Sequence, residues 1–253
     1  MDFRKQKEFS PKVLTREIWE HSIFGGYPKV VTVDDLETKK IILQDLYETM
    51  ILKDVAQTFS IEDITSLENL SKYLAHNIGG IFSYERACSD IRLSFKTVKK
   101  YIDALEKSYM ILRVIPFYKN KMKEIIKKPK IFFIDTGIRN ILSKTISNID
   151  GAMFENYVCS ELLKMGFTPK YWRTKSKSEV DFIIEKDNEI IPIEVKLSIN
   201  STKIGRSFHS FLKEYSPKRG FIVSYNNTKG KITIGNSTIH FVDILELKNF
   251  LNK

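Results

Sequence analysis

Two short runs carry the residues best able to do chemistry: Glu179-Val180-Asp181-Phe182-Ile183-Ile184 and Ile191-Pro192-Ile193-Glu194-Val195-Lys196. Each alternates apolar and polar residues at the period of a strand. Asp187-Asn188 between them is turn chemistry, so the pair reads as a β-hairpin. With an even loop centred on that dipeptide, residues whose numbers share one sum face each other, which sets Asp181 opposite Glu194. Val180, Phe182, Ile184, Ile191, Ile193 and Val195 then share an apolar face. Asp181, Glu194 and Lys196 share the other, with cross-strand Cβ atoms about 5 Å apart. Two carboxylates at that separation repel unless a cation lies between them, and hard oxygen ligands beside a lysine suit Mg²⁺ or Mn²⁺. The competing reading is that the charges merely solvate one face of an exposed hairpin.

A further acid fits the same constellation. Gly151 to Met165 is a helical pattern in which Phe154, Val158, Leu162 and Met165 recur at helical spacing, with Glu155 beside that stripe. Downstream, Ile204 to Tyr215 reads as a helix and Gly220-Phe221-Ile222-Val223-Ser224 as a buried strand. The order of a helix acid, an Asp on a strand and Glu-x-Lys on the next strand resembles the signature of the PD-(D/E)xK nuclease superfamily. Its core is a helix, a three-stranded meander, a helix and a strand. The resemblance implies metal binding by Asp181 and Glu194 with assistance from Glu155, and a water-positioning role for Lys196. These four would be the catalytic residues, and Mg²⁺ or Mn²⁺ the cofactor.

The rest of the chain limits this reading. A net charge of +10 over 253 residues favours a polyanionic partner, although charge alone can be solubility. Cys88 and Cys159 lie singly in helical patterns and read as reduced, packed thiols rather than a disulfide or zinc site. His21, His76, His209 and His240 have no second ligand at metal spacing. Tyr171 and Trp172 read as packing beside the first meander strand. No signal run or membrane-length apolar segment occurs, so a soluble, cytoplasmic protein without membrane contact is expected.

The first half is helical. Thr38 to Phe59 reads as one long helix and Ile64 to Ile78 as another, ended by Gly79-Gly80. Ser83 to Ile91 is a short capped helix, Arg92-Leu93-Ser94 a turn, and Phe95 to Lys107 a second helix with Val98, Tyr101, Ile102 and Leu105 buried. An extended Met110 to Val114 follows. Helix, tight turn, helix, strand is the pattern of a winged helix-turn-helix. Lys96, Thr97, Lys99 and Lys100 would contact DNA phosphates from the second helix, and Lys121, Lys123, Lys127 and Lys128 from a basic wing running through Lys130. Lysines give charge without base readout, so sequence-specific recognition is not expected. The alternative is that they solvate a protein-contact module. Asp135-Thr136-Gly137, after the apolar Ile131 to Ile134, reads as a strand end with a helix cap.

Gly25-Gly26-Tyr27-Pro28, Lys53-Asp54-Val55, Thr97-Val98-Lys99-Lys100-Tyr101, Phe133-Ile134-Asp135-Thr136-Gly137 and the nuclease-like end together resemble the C-terminal region of a family of prokaryotic AAA+-like ATPases. That resemblance covers nearly the whole chain and implies an ATPase or another protein as a partner. No Gly-x-x-x-x-Gly-Lys-Ser/Thr occurs, so the chain is read as a fragment or a stand-alone relative, and not as an ATPase. The expected fold class is a two-domain α+β and α/β protein. It comprises an N-terminal helical segment (1–62), a mainly helical winged helix-turn-helix (63–145) and a PD-(D/E)xK restriction-endonuclease-like α/β domain (146–253). The expected function is DNA binding with a Mg²⁺-dependent endonuclease site. The alternative is a non-catalytic regulatory or protein-interaction module of an ATPase system that keeps the nuclease fold.

Overall fold

In a computed structural model of the chain, residues 11–118, 127–146, 149–225 and 229–252 are described. They form a helical N-terminal part and a C-terminal α/β sheet region. Two compact units result, one made of Met1–His76, Ala87–Met110 and Asp135–Ile149, the other of Asn77–Arg86, Ile111–Ile134 and Asp150–Lys253. Among the described residues no helix is long and apolar enough to cross a membrane.

The first unit begins with α1 (Pro11–Phe24) and the single turn α2 (Pro28–Val31). Next comes α3 (Leu36–Leu46), which continues through a π-helical stretch, Tyr47–Val55, into α4 (Ala56–Thr58). Asp35 starts α3 by accepting the Thr38 N–H at 2.7 Å, satisfying one of the orphan donors of the first turn. The helices α5 (Ile64–His76) and α7 (Phe95–Lys107) follow the expected spans closely, with α6 (Tyr84–Ile91) between them. Ser94 caps α7 through the Thr97 N–H, and Val98, Tyr101, Ile102 and Leu105 form its buried stripe. Four such side chains taken from water contribute about 2 kcal/mol each, enough to hold a helix that would be marginal alone.

Asp135 caps α8 (Thr136–Ser143) through the Ile138 N–H at 3.1 Å. Its other oxygen accepts the Gly26 N–H at 2.8 Å, so one carboxylate starts a helix and fixes the turn after α1. The last carbonyls of α1 have no partners within their own helix. Thr136 Oγ1 donates to His21 O, and Asn140 Nδ2 to Ser22 O and Ile23 O.

In the second unit β1 (Ile111–Val114) and β2 (Lys130–Phe133) form an antiparallel pair in which Val114 opposes Lys130. Asp150 then caps α9 (Gly151–Lys164) through the Met153 N–H. A six-stranded mixed sheet follows, built from β3 (Lys170–Arg173), β4 (Glu179–Lys186), β5 (Glu189–Lys196), β6 (Arg219–Ser224), β7 (Gly230–Ile234) and β8 (Ser237–Val242). Its strand order is β3-β4-β5-β6-β8-β7: an antiparallel meander, two parallel pairings, and an antiparallel edge strand. Helix α10 (Arg206–Tyr215) links β5 to β6, and α11 (Ile244–Leu251) follows β8. At the β4–β5 turn Asp187 and Asn188 both have positive φ, 50° and 62°, the backbone that a two-residue hairpin loop needs for its twist to match the strands.

The hairpin is not apolar on one side only. Phe182 meets Phe132, while Val180 and Ile183 join Trp172, Phe208 and Phe211 in one cluster. Val180 and Ile183 share a cluster because β4 carries an extra residue. Trp172 pairs with Val180 and Lys170 with Ile183, so Asp181 and Phe182 together face Tyr171 alone. A bulge of this kind turns the side-chain alternation over.

Candidate functional site

The β4–β5 ladder runs in the anticipated register from Lys186↔Glu189 to Phe182↔Ile193 and stops one pair short of Asp181 and Glu194. The bulge is the reason. With Asp181 rotated out of the ladder, the Val195 N–H needs another acceptor, and Asp181 Oδ2 takes it at 2.7 Å. One residue away, Glu194 is 6% exposed. Its Oε1 lies 2.7 Å from Lys196 Nζ, and its Oε2 has no hydrogen-bond partner. Gly205, which caps α10, borders the same carboxylate: a Cβ there would sit 3.6 Å from Glu194 Oε1. Ser224, paired in register with Lys196 on β6, is also buried, and its hydroxyl has no partner.

Glu155 approaches from α9. Asn156 fixes that helix against β2: its Oδ1 accepts the Phe133 N–H and its Nδ2 donates to Phe133 O, both at 2.8 Å, so a side chain stands in for a neighbouring strand. Ser160 Oγ donates to Ile134 O at 2.6 Å, one helical turn further on. Glu155, beside Asn156, is thereby brought to Lys130 at the start of β2. Lys130 Nζ lies 3.1 Å from Glu155 Oε1 and 2.6 Å from Glu179 Oε1, with its side chain 2% exposed. The second oxygen of Glu179 is held by Arg173 at 2.9 Å.

Burial dominates the electrostatics. It pushes Glu155 up to about 7, the nearby Asp181 and Glu179 carboxylates adding to the rise and Lys130 opposing it. Burial likewise raises Asp181, against the Val195 N–H and the two lysines, and raises Glu194 against Lys196. Burial alone would lower both lysines. Glu155 and Glu179 outweigh it for Lys130, holding it at about 12, and Glu194 and Asp181 outweigh it for Lys196, which also moves up. Both lysines therefore remain cations at neutral pH, and the carboxylates carry charge at a cost that an added cation would relieve.

The structure thus brings Asp181, Glu194 and Lys196 together and ties Glu155 to Lys130. Among the described residues no three carboxylate, histidine or cysteine side chains converge as a ready metal cage. The residues fit a divalent ion at Asp181 and Glu194, where a buried carboxylate oxygen lacks a partner, with waters completing the shell as Mg²⁺ prefers. Sequence reasoning missed Glu179, although it alternates in step with Asp181, and missed Ser224. It also set Lys130 in a solvated basic run, whereas that side chain is buried.

The lysines assigned to phosphate contact divide between the units. On α7, Lys96, Lys99 and Lys100 line an open groove of about 360 Å³ together with Phe59, Asp103, Ala104 and Lys107. Thr97 is engaged in the cap, its hydroxyl 2.8 Å from Ser94 Oγ, and Lys100 Nζ donates to Ser60 O. Lys127 is exposed, and Lys128 contacts Glu85 and Ser83 at 3.1 and 3.0 Å. Lys121 and Lys123 lie outside the described residues.

The chain is similar to an uncharacterised protein of Haemophilus influenzae, at 30% identity over 71% of this chain and 46% of that protein. An uncharacterised protein of Methanocaldococcus jannaschii is 26% identical over 84% of this chain and 51% of its own length. One from Mycobacterium tuberculosis is 25% identical over 79% and 47%. The chain therefore spans about half the length of the curated relatives it matches. No solved structure gives a significant match. Residues 150–246, from the cap of α9 into the first turn of α11, match a domain of unknown function, DUF4143. Residues 15–148, more than half of the chain, match another, and the chain belongs to the family of that domain of unknown function, DUF8612.

Proposed function

We propose that the chain is a DNA-binding protein with a Mg²⁺- or Mn²⁺-dependent phosphodiester hydrolase site of PD-(D/E)xK type, preceded by a winged helix-turn-helix. The observation that carries the reading is Glu194: a buried carboxylate with one oxygen on Lys196, the other without a partner, and Asp181 held beside it at a strand bulge. Buried acceptors rarely stay unpaired, and one next to a second carboxylate is matched by a cation. The succession α9, β3-β4-β5, α10, β6 supports it as the order of elements in that superfamily.

A divalent ion at Asp181 and Glu194 would acidify its bound water and offset charge building on a phosphate. Val195 orients the Asp181 carboxylate through its N–H. Lys196, half exposed at 51% and protonated at neutral pH, is available to an incoming phosphate as a fixed positive charge rather than as a base. Glu155 supports the site from α9 through Lys130. Lys96, Lys99 and Lys100 supply phosphate contacts on α7, and the protein partner is an ATPase or another protein.

The second reading, a non-catalytic interaction module, is favoured by one specific point: Glu155 is held by Lys130, and among the described residues no third ligand converges with Asp181 and Glu194. Thermal unfolding separates the two. Under the hydrolase reading Mg²⁺ or Mn²⁺ raises Tm of the wild type, by preferential binding to the folded state, and leaves an Asp181→Asn, Glu194→Gln double variant unmoved. Equal stabilisation of both proteins removes the site.

A further inference from the structure

The acids of the second unit fall into two pairs of opposite character. At the outer pair, Asp181 spends one oxygen on Val195, and Glu194 keeps an oxygen without a partner beside a lysine that is half exposed. At the inner pair both oxygens of Glu179 are engaged, by Lys130 at 2.6 Å and Arg173 at 2.9 Å, and Glu155 meets the same Lys130 ammonium at 3.1 Å. Lys130 is anchored as a surface lysine is not. Its backbone opposes Val114 in the β1–β2 ladder and bridges to Ile81, its side chain is 2% exposed, and its ammonium lies 5.6 Å from the centroid of the Tyr171 ring. Asn156, clasping Phe133, fixes the distance between the strand that carries Lys130 and the helix that carries Glu155.

Many phosphodiester-cleaving sites hold two divalent ions about 3.5–4 Å apart, each needing carboxylate oxygens not already neutralised. Here both oxygens of Glu179 and one of Glu155 are already taken, and the two carboxylate charges are matched by Lys130 and Arg173. We infer that Lys130 stands, as a permanent ammonium, where a second divalent ion would sit, so that the site takes one Mg²⁺ or Mn²⁺ at Asp181 and Glu194 and not two. This rests on the metal site proposed above. Lys130 acts as a positioning residue, holding Glu155 and Glu179 near the ion without binding it. A lysine on a buried strand can do this because its ammonium charge is compact and its three donors serve two carboxylates and leave one spare.

Mn²⁺ titration of the metal-free full chain tests it, with free Mn²⁺ followed by electron paramagnetic resonance and bound ions counted by native mass spectrometry. One ion per wild-type chain is expected, none in Asp181→Asn/Glu194→Gln, and one in Lys130→Arg, which keeps the cation. Two are expected in Lys130→Met, which leaves Glu155 without its countercharge and frees one oxygen of Glu179, Arg173 remaining on the other. Two ions in the wild type overturn the inference while leaving the metal site intact. That result decides the matter even where Lys130→Met does not fold. One ion in a folded Lys130→Met also overturns it. No ion in the wild type, or an ion retained by the double variant, removes the underlying site and the inference with it.

Discussion

Asp181 Oδ2 accepts the main-chain N–H of Val195 at 2.7 Å, just beyond the last pair of the β4–β5 ladder. The contact joins local backbone geometry to site chemistry: the bulge that frees the N–H also turns the carboxylate toward Glu194 and Lys196. Asp181→Ala leaves a buried donor unsatisfied and should cost about 1–3 kcal/mol. Asp181→Asn keeps an acceptor and should cost less than half as much. Urea unfolding of the two variants checks the order. Equal losses would mean that the hydrogen bond is not what holds the strand.

Stability should fall as pH rises through neutrality when no divalent ion is present. Glu155, Asp181 and Glu194 all have folded-state pKa values above their ordinary ones, chiefly through burial. A raised pKa means that the folded chain holds its proton more tightly. The stabilisation is therefore complete below the ordinary carboxylate range and is lost as pH climbs past the folded value, about 7 for Glu155. That loss should be on the order of 2–3 kcal/mol between pH 5 and 7.5. Groups lowered by hydrogen bonding, such as Glu85 at about 2, act only in more acidic solution. Thermal melts in EDTA should show Tm dropping across this window and Glu155→Gln flattening the drop. A rise in Tm with pH would reverse the assignment.

The clasp around α1 gives a test of the first unit, with Gly166 in the second unit as the reference. A Cβ on Gly137 would lie 2.3 Å from Phe24 O, and one on Gly25, which has φ +73°, 2.1 Å from Asp135 Oδ1. Gly166 also has positive φ, +85°, but open space around it. Gly166→Ala should therefore cost only the backbone strain, about 1–2 kcal/mol. Gly137→Ala adds a backbone collision and should cost at least about 3 kcal/mol. Equal losses in chemical denaturation would show that the close approach is not limiting.

DNA affinity should fall steeply with salt and vary little with sequence. Lys96, Lys99 and Lys100 line one groove. If each meets a phosphate, replacing all three by Ala should shallow the logarithmic salt slope by about 3. Fluorescence anisotropy at several ionic strengths reads this. An unchanged slope would move the DNA surface elsewhere.

What could be read from the sequence was local. The hairpin, its Asp187-Asn188 turn, the cap at Asp135 and the helix from Phe95 to Lys107 follow from period and punctuation within a dozen residues. The helical first part and the sheet-containing second part follow from the same signals. The bulge at Asp181 was not legible, because it depends on how β3 pairs with β4 and not on β4 itself. Lys130 was not legible either. It reaches Glu155 and Glu179 from 25 and 49 positions away and sits at the end of a lysine run that imitates a solvated surface. Strands β7 and β8 were not anticipated: β7 is a short, largely exposed edge strand, whereas β8 alternates buried and half-buried positions as a strand does.

The most direct test of the central claim is cleavage of linear, branched and single-stranded DNA with Mg²⁺ or Mn²⁺, comparing wild type with Lys196→Ala and Asp181→Ala under matched DNA binding. The account predicts weak metal-dependent nicking by the wild type, abolished in both variants while binding survives. Cleavage that persists in both variants, or none by the wild type with any divalent ion, would contradict it.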